Sequence, residues 1–115
     1  MITMNEMMKH VEPFEANPKY TSILRLRDSV NCRHLGEQRI WKRKNDGWLL
    51  KITDGDRWLS AIEFFGSYGN DDDLIEIWSS ELEEADEDPY GFLTSDQAYQ
   101  CVLFWLEGKI EEYQR

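Results

Sequence analysis

Two acidic clusters hold most of the chemistry available to this chain: Asp71, Asp72 and Asp73 in one run, and Glu81, Glu83, Glu84, Asp86, Glu87 and Asp88 in another. Carboxylates at this density suit a hard cation or a cationic macromolecule. The sharper possibility is calcium, because Asp86, Asp88, Gly91 and Leu93 fall at positions one, three, six and eight of an EF-hand loop, which uses carboxylates to ligate and glycine to turn. The match ends there. Pro89 and Tyr90 occupy the next positions and Gln97 stands where a bidentate Glu belongs, so loose cation association is expected, with no ordered metal site and no cofactor.

The other reactive residues are sparse. Cys32 with His34 is a two-ligand fragment that lacks partners at metal spacing, and His10 is the only other imidazole. Neither Cys32 nor Cys101 sits in a CxxC pair, so reduced thiols are expected, with Cys101 a small buried hydrophobe on a helix face. Glycine-rich phosphate loops, GxSxG and HExxH are absent from the sequence, and an enzyme is not expected. Arg39, Lys42, Arg43 and Lys44 around Trp41 could form a small nucleic-acid patch, but they suit a solvated hairpin tip better.

Charge is segregated along the chain. Residues 1–53 carry 10 Lys or Arg against 6 Asp or Glu, and residues 54–115 carry 3 against 17, giving the net charge of −10. The 51 residues between Arg57 and Lys109 hold no Lys or Arg and 13 Asp or Glu. Self-repulsion of this size opposes compaction, and it implies a surface that attracts something positive. It also repels anionic lipid headgroups and phosphate backbones, so neither a membrane nor direct nucleic acid is an expected partner.

A chain of 115 residues fits one domain, 1–115, able to bury roughly two-thirds of its unfolded surface. Its 13% aromatic content, with five Trp, separates it from chains that cannot offset their ordering entropy. Thr3, Asn5 and Glu6 interrupt residues 1–8 where a secretory signal would be apolar, so a cytoplasmic protein is expected.

The elements that would position these groups follow from periodicity. Residues 1–19 read as a short helix over 3–11, with a Thr3 and Glu6 capping box, followed by an irregular lead-in broken at Pro13 and Pro18. Residues 20–79 read as an antiparallel sheet of about five strands. The first is expected over 20–27, where Leu24 and Leu26 alternate with Arg25 and Arg27. Strands over 38–44 and 48–53 flank Asn45, Asp46 and Gly47, a hairpin signal in which Asp and Gly suit positive φ. The strand over 57–65 is apolar on both faces, which predicts a central strand covered on both sides, and the last strand spans 74–79. Residues 80–93 read as an acidic loop. Residues 94–112 read as a helix, with Thr94 and Gln97 forming a capping box and a possible end or bend at Gly108. The fold class is therefore α+β, an antiparallel meander with the C-terminal helix on one face.

If the strand over 74–79 lies at an edge, both carboxylate clusters share one rim of the sheet, with Glu76 and Trp78 on one strand face between them. An aromatic among charges suits an interface anchor, and Trp78, Tyr68 or Tyr90 would supply it. The competing reading is a solvated acidic loop that keeps the protein soluble and blunts an edge.

The acidic pI, the small α+β layout and the segment 57–66 (RWLSAIEFFG) resemble the bacterial immunity proteins of polymorphic toxin and contact-dependent growth inhibition systems, and the run 91–108 (GFLTSDQAYQCVLFWLEG) is similar in character to their closing helix. The resemblance covers about the last half of the chain and carries over no residue roles. It implies a cytoplasmic inhibitor that binds a cognate toxin domain, often a basic nuclease, and occludes its active site or substrate groove. Two alternatives share the composition: a phage-type acidic nucleic-acid mimic, which needs carboxylates at duplex-phosphate spacing over a long face, and a small metal-binding regulator or enzyme. Oligomeric state stays open between a monomer and a weak head-to-tail dimer pairing the basic stretch with an acidic rim.

Overall fold

The computed structural model describes residues 19–113, so the helix expected over 3–11 and most of the irregular lead-in lie outside the described residues. Five antiparallel strands form one meander in the order β1-β2-β3-β4-β5: β1 Gln38–Lys44, β2 Gly47–Asp54, β3 Arg57–Glu63, β4 Ile75–Ser79 and β5 Tyr90–Leu93. The fold is α+β. Among the described residues the helices are α1 Ser22–Cys32, the short α2 Ser80–Glu84 and α3 Ser95–Leu106, with 3-10 turns at Asn70–Asp72 and Ile110–Glu112. No helix among the described residues is long and apolar enough to cross a membrane.

The strand expected over 20–27 is instead part of α1. The burial-relevant spacing there is Ile23, Leu26 and Val30, one stripe of a helix, while the local alternation of Leu and Arg is incidental. The helix start has no side-chain cap of its own at Thr21. Its donors are met from across the fold: the Asp73 carboxylate accepts from the backbone N–H of Thr21 at 2.7 Å and of Ser22 at 3.0 Å, and Glu63 Oε1 accepts from Ile23 N–H at 3.1 Å. The Thr21 hydroxyl also donates to Asp73. Two carboxyl groups distant in sequence thus act as the N-cap.

The fifth strand comes from within the segment expected as an acidic loop. Residues 80–84 form α2, capped by Ser79, whose hydroxyl accepts from Leu82 N–H at 3.2 Å, and residues 90–93 form β5. The pairings Ile75 with Leu93 and Ile77 with Tyr90 leave Gly91 and Phe92 opposite Glu76 alone, a β-bulge.

β2 and β3 meet in full register, from Trp48 with Glu63 to Asp54 with Arg57, and β1 pairs with β2 from Gln38 with Thr53 to Lys44 with Gly47. The first hairpin takes its positive φ at Asn45 (52°), not at the Asp and Gly that follow. Gly47 is needed for another reason: a Cβ there would lie 2.0 Å from the Glu63 carbonyl oxygen. Asp46 ties the hairpin tip to its surroundings, accepting from Phe65 N–H at 2.7 Å, Tyr20 Oη at 2.9 Å and Lys19 Nζ at 3.1 Å.

Alternation then divides the sheet into two faces. Leu50, Ile52, Leu59, Ala61, Ile75, Ile77 and Leu93 point inward and form one core with Ile23, Leu26 and Val30 of α1 and Ala98, Cys101, Val102 and Trp105 of α3. The outer face carries Ile40, Lys42, Leu49, Lys51, Trp58, Ser60, Ile62, Glu76 and Trp78, half-buried or exposed, and no described element covers it. β3 is central, as its sequence predicts, and among the described residues it is covered on one side only, with none of them packed over its second apolar face.

α3 starts at the predicted capping box, with Gln97 N–H donating to Thr94 Oγ1 at 3.2 Å and Gln97 Oε1 accepting from Thr94 N–H at 2.9 Å. It ends at Leu106, six residues before the sequence-predicted limit. Gly108, at φ 76°, terminates it: Gly108 N–H donates to the Trp105 carbonyl and Lys109 N–H to that of Phe104, the paired bonds of a Schellman turn. The Arg57 guanidinium donates to the same Trp105 carbonyl at 2.7 Å and lies 4.7 Å from the Trp105 ring centroid.

Candidate functional site

The acidic groups do not share one rim, because β4 is an inner strand between β3 and β5. Asp71 and Asp72 precede β4, and Glu83, Glu84, Asp86, Glu87 and Asp88 follow it, so a five-residue strand of about 17 Å separates the two sets. All seven are exposed, and none enters an ion pair among the described residues. They flank the β4–β5 edge from its two ends. Asp71 and Asp72 belong to the 3-10 turn Asn70–Asp72, and the others to the end of α2 and the turn that enters β5.

Five sequence-nominated residues have internal duties instead. Asp73 caps α1. Glu81 is half-buried, accepts from the Ser80 hydroxyl and lies 3.8 Å from Arg57 Nε. The Tyr90 hydroxyl donates to the Ile110 carbonyl at 2.9 Å, and burial pushes its pKa up. Glu76 sits on the outer sheet face and accepts from Tyr68 N–H at 3.0 Å, fixing the turn that presents Tyr68. Trp78, 36% exposed, shares that face with Glu76, stands edge-on to Trp58 at 5.9 Å and donates from Nε1 to the Glu87 carbonyl at 3.3 Å.

Tyr68 is the nominated aromatic that the fold leaves free for contact. It is 55% exposed and stacks on Phe92, 52% exposed, with centroids 6.3 Å apart and planes 18° from parallel. Phe92 escaped the sequence reading because its exposure depends on the bulge: at φ 60° it turns out of a strand in which its neighbours Gly91 and Leu93 are buried. The pair is built on glycine. A Cβ on Gly91 would lie 2.6 Å from Tyr68 Cβ, and one on Gly69 would lie 3.1 Å from Phe92 Cα. Around the pair lies a shallow depression of about 290 Å³, lined by Gly66, Ser67, Tyr68, Gly69, Asn70, Asp71, Asp72 and Phe92. Phe65, 71% exposed, follows the β3 end that Asp46 holds. Exposed aromatics thus gather at the β3–β4 turn beside Asp71 and Asp72, with the second carboxylate set at the far end of β4.

The calcium-loop reading fails on geometry. Asp86 and Asp88 occupy a turn, whereas Gly91 and Leu93 belong to β5, so the four do not encircle a common point. Among the described residues no group of three or more His, Cys, Asp or Glu is placed to hold a metal ion. Cys32 ends α1 and His34 stands in the next turn at φ 53°. Cys101 is buried, and desolvation pushes its thiol up to about 12, which keeps it protonated. Trp41 of the basic stretch stacks on Trp48 at 4.8 Å and lies under Arg27 at 4.8 Å, so it packs against the core and offers no free ring for a base.

One further acidic group escaped the sequence reading. Glu63, fully buried, is raised to about 9, first by desolvation and then by the adjoining Asp73 carboxylate, to which it is hydrogen-bonded. Its Oε2 meets no N–H or hydroxyl donor, and a proton carried there and donated to Asp73 satisfies both groups. Asp73 is correspondingly lowered: burial alone would raise it, and bonds from Glu63, Ser22 and Thr21 outweigh that. The pair shares one proton and one charge beneath the start of α1.

Basic and acidic groups thus occupy opposite margins of the sheet, Arg39, Lys42, Arg43 and Lys44 on β1 and the seven free carboxylates around β4 and β5, about 19 Å apart across four strand spacings. Comparison with protein-family models, with curated proteins and with solved structures finds no match for this chain.

Proposed function

We propose that this chain is a stoichiometric binding protein of the immunity type, a cytoplasmic inhibitor without catalytic activity that docks a basic, nuclease-like toxin domain against the β4–β5 margin and occludes its active site or substrate groove. One observation carries the reading. The exposed Tyr68–Phe92 pair is presented by a bulge and two glycines between two sets of carboxylates that have no internal counterions among the described residues. Exposed, pre-oriented aromatic rings lose little entropy on binding and serve as anchors, while surrounding charges steer encounter. Clustering at two turns also favours a protein partner over nucleic-acid mimicry, which needs an evenly spaced ladder of anions.

The test is capture of the partner from the native host followed by cross-linking. A basic protein is expected in one-to-one stoichiometry, with cross-links concentrated at residues 68–72 and 83–92. An acidic partner, or a footprint on α1, refutes the proposal.

A further inference from the structure

The outer sheet face lies outside the docking margin of the proposed function, and its charge pattern is self-complementary. We infer that a second copy of this chain covers it, related by a twofold axis running parallel to the strands. Register fixes the layout. Lys51, Ser60 and Trp78 form one row across β2, β3 and β4, and Leu49, Ile62 and Glu76 form the next. A twofold along β3 exchanges β2 with β4 and keeps the rows, so Lys51 of one copy lies over the partner's Trp78, with the partner's Glu76 one row away. Each contact occurs twice.

The other in-plane twofold, perpendicular to the strands, would set β2 on β2 and Lys51 near its own copy. Electrostatics therefore selects the first arrangement. Lys42 and Lys51 enter no ion pair among the described residues, and Lys51 Nζ stands 5.7 Å from the Trp58 centroid. Two cations without counterions are unexpected on a chain of net charge −10 unless something anionic meets them. A depression of about 250 Å³ lined by Lys42, Leu49, Lys51, Trp58, Ser60 and Trp78 offers room for the edge of the partner's Trp78. Ser60, the smallest side chain of the face, falls on the axis, where two sheets must approach to about 10 Å.

Sedimentation equilibrium of the full chain from about 1 to about 500 µM tests this. The expected result is a monomer–dimer equilibrium that Ser60→Arg abolishes, since a long side chain at the axis holds the sheets apart while pointing to solvent in the monomer. Lys51→Glu and Glu76→Lys should each weaken association at least about tenfold, and the double variant should recover most of it. Far-UV circular dichroism confirms that each variant is folded. A wild-type monomer over the whole range, whatever else then covers the two Trp rings, overturns the inference, as does a Ser60→Arg protein that dimerises normally or a double variant no better than the singles.

Discussion

Replacing Glu63 by Gln should make the protein more stable at alkaline pH, against the usual expectation for a buried residue. In the folded chain Glu63 is raised to about 9, whereas its ordinary value is 4.5. Folding therefore takes up a proton at any pH between these values. The Glu63 contribution is fully present below about 4.5 and is lost as pH rises through about 9, each unit costing about 1.4 kcal/mol. At pH 7.5 the loss is on the order of 4 kcal/mol, comparable with the whole stability of many small domains. Gln is neutral throughout. Its carbonyl still accepts from Ile23 N–H and its amide still donates to Asp73, so the variant keeps the contacts and loses the proton uptake. Urea denaturation of both proteins at pH 5, 6.5 and 8 measures the difference. The variant should gain on the wild type by about 4 kcal/mol between pH 5 and 8, with unchanged m-values and near parity at the acid end. Parallel stability profiles for the two proteins would refute the assignment of the shared proton to Glu63.

Asp73→Ala should cost about 2 kcal/mol near neutral pH, because two backbone donors at the start of α1 lose their acceptor, and amide exchange of residues 21–23 should accelerate. Asp46 is lowered to about 2, chiefly by the Phe65 N–H, so its stabilising effect is present above its usual range and disappears as pH falls through about 2. With the side chain 40% exposed, solvent screening leaves Asp46→Asn a loss of about 1 kcal/mol, readable as a lower thermal midpoint at pH 7. Gly47→Ala drives a Cβ into the Glu63 carbonyl and should destabilise by about 3 kcal/mol or more in a denaturant titration. Tyr68→Ala should leave folding intact and weaken the captured partner's affinity by about 2 kcal/mol, while the wild-type association rate falls as salt rises; an unchanged affinity removes Tyr68 from the interface.

What could be read in advance depended on how far each signal reached along the chain. The β1–β2 hairpin and the start of α3 are encoded by neighbours, Asn45 with Gly47 and Thr94 with Gln97, and both form where expected. α1 was misread because its cap lies at Asp73 and Glu63, about 50 and 40 residues downstream, so nothing beside Thr21 announces a helix. The stripe Tyr20, Ile23, Leu26 and Val30 was the available signal, and the short Leu and Arg alternation inside it obscured the longer period. β5 was missed because a four-residue strand with Gly91 and a left-handed Phe92 has almost no alternation to detect. Among the site residues, the seven exposed carboxylates and Tyr68 were visible from composition. Phe92 was not, because only the pairing of β5 with β4 creates the distortion that exposes it.

That distortion bears on what the sheet refuses to do. An unguarded margin of a β-sheet is a template onto which further chains can zip, but the comb of donors and acceptors on β5 is thrown out of phase where Gly91 and Phe92 together span a single residue of β4. An incoming segment would find its hydrogen bonds mismatched within two residues. The irregularity that displays an aromatic for recognition therefore also discourages runaway polymerisation, adding to the protection that a strand of only four residues already gives this margin.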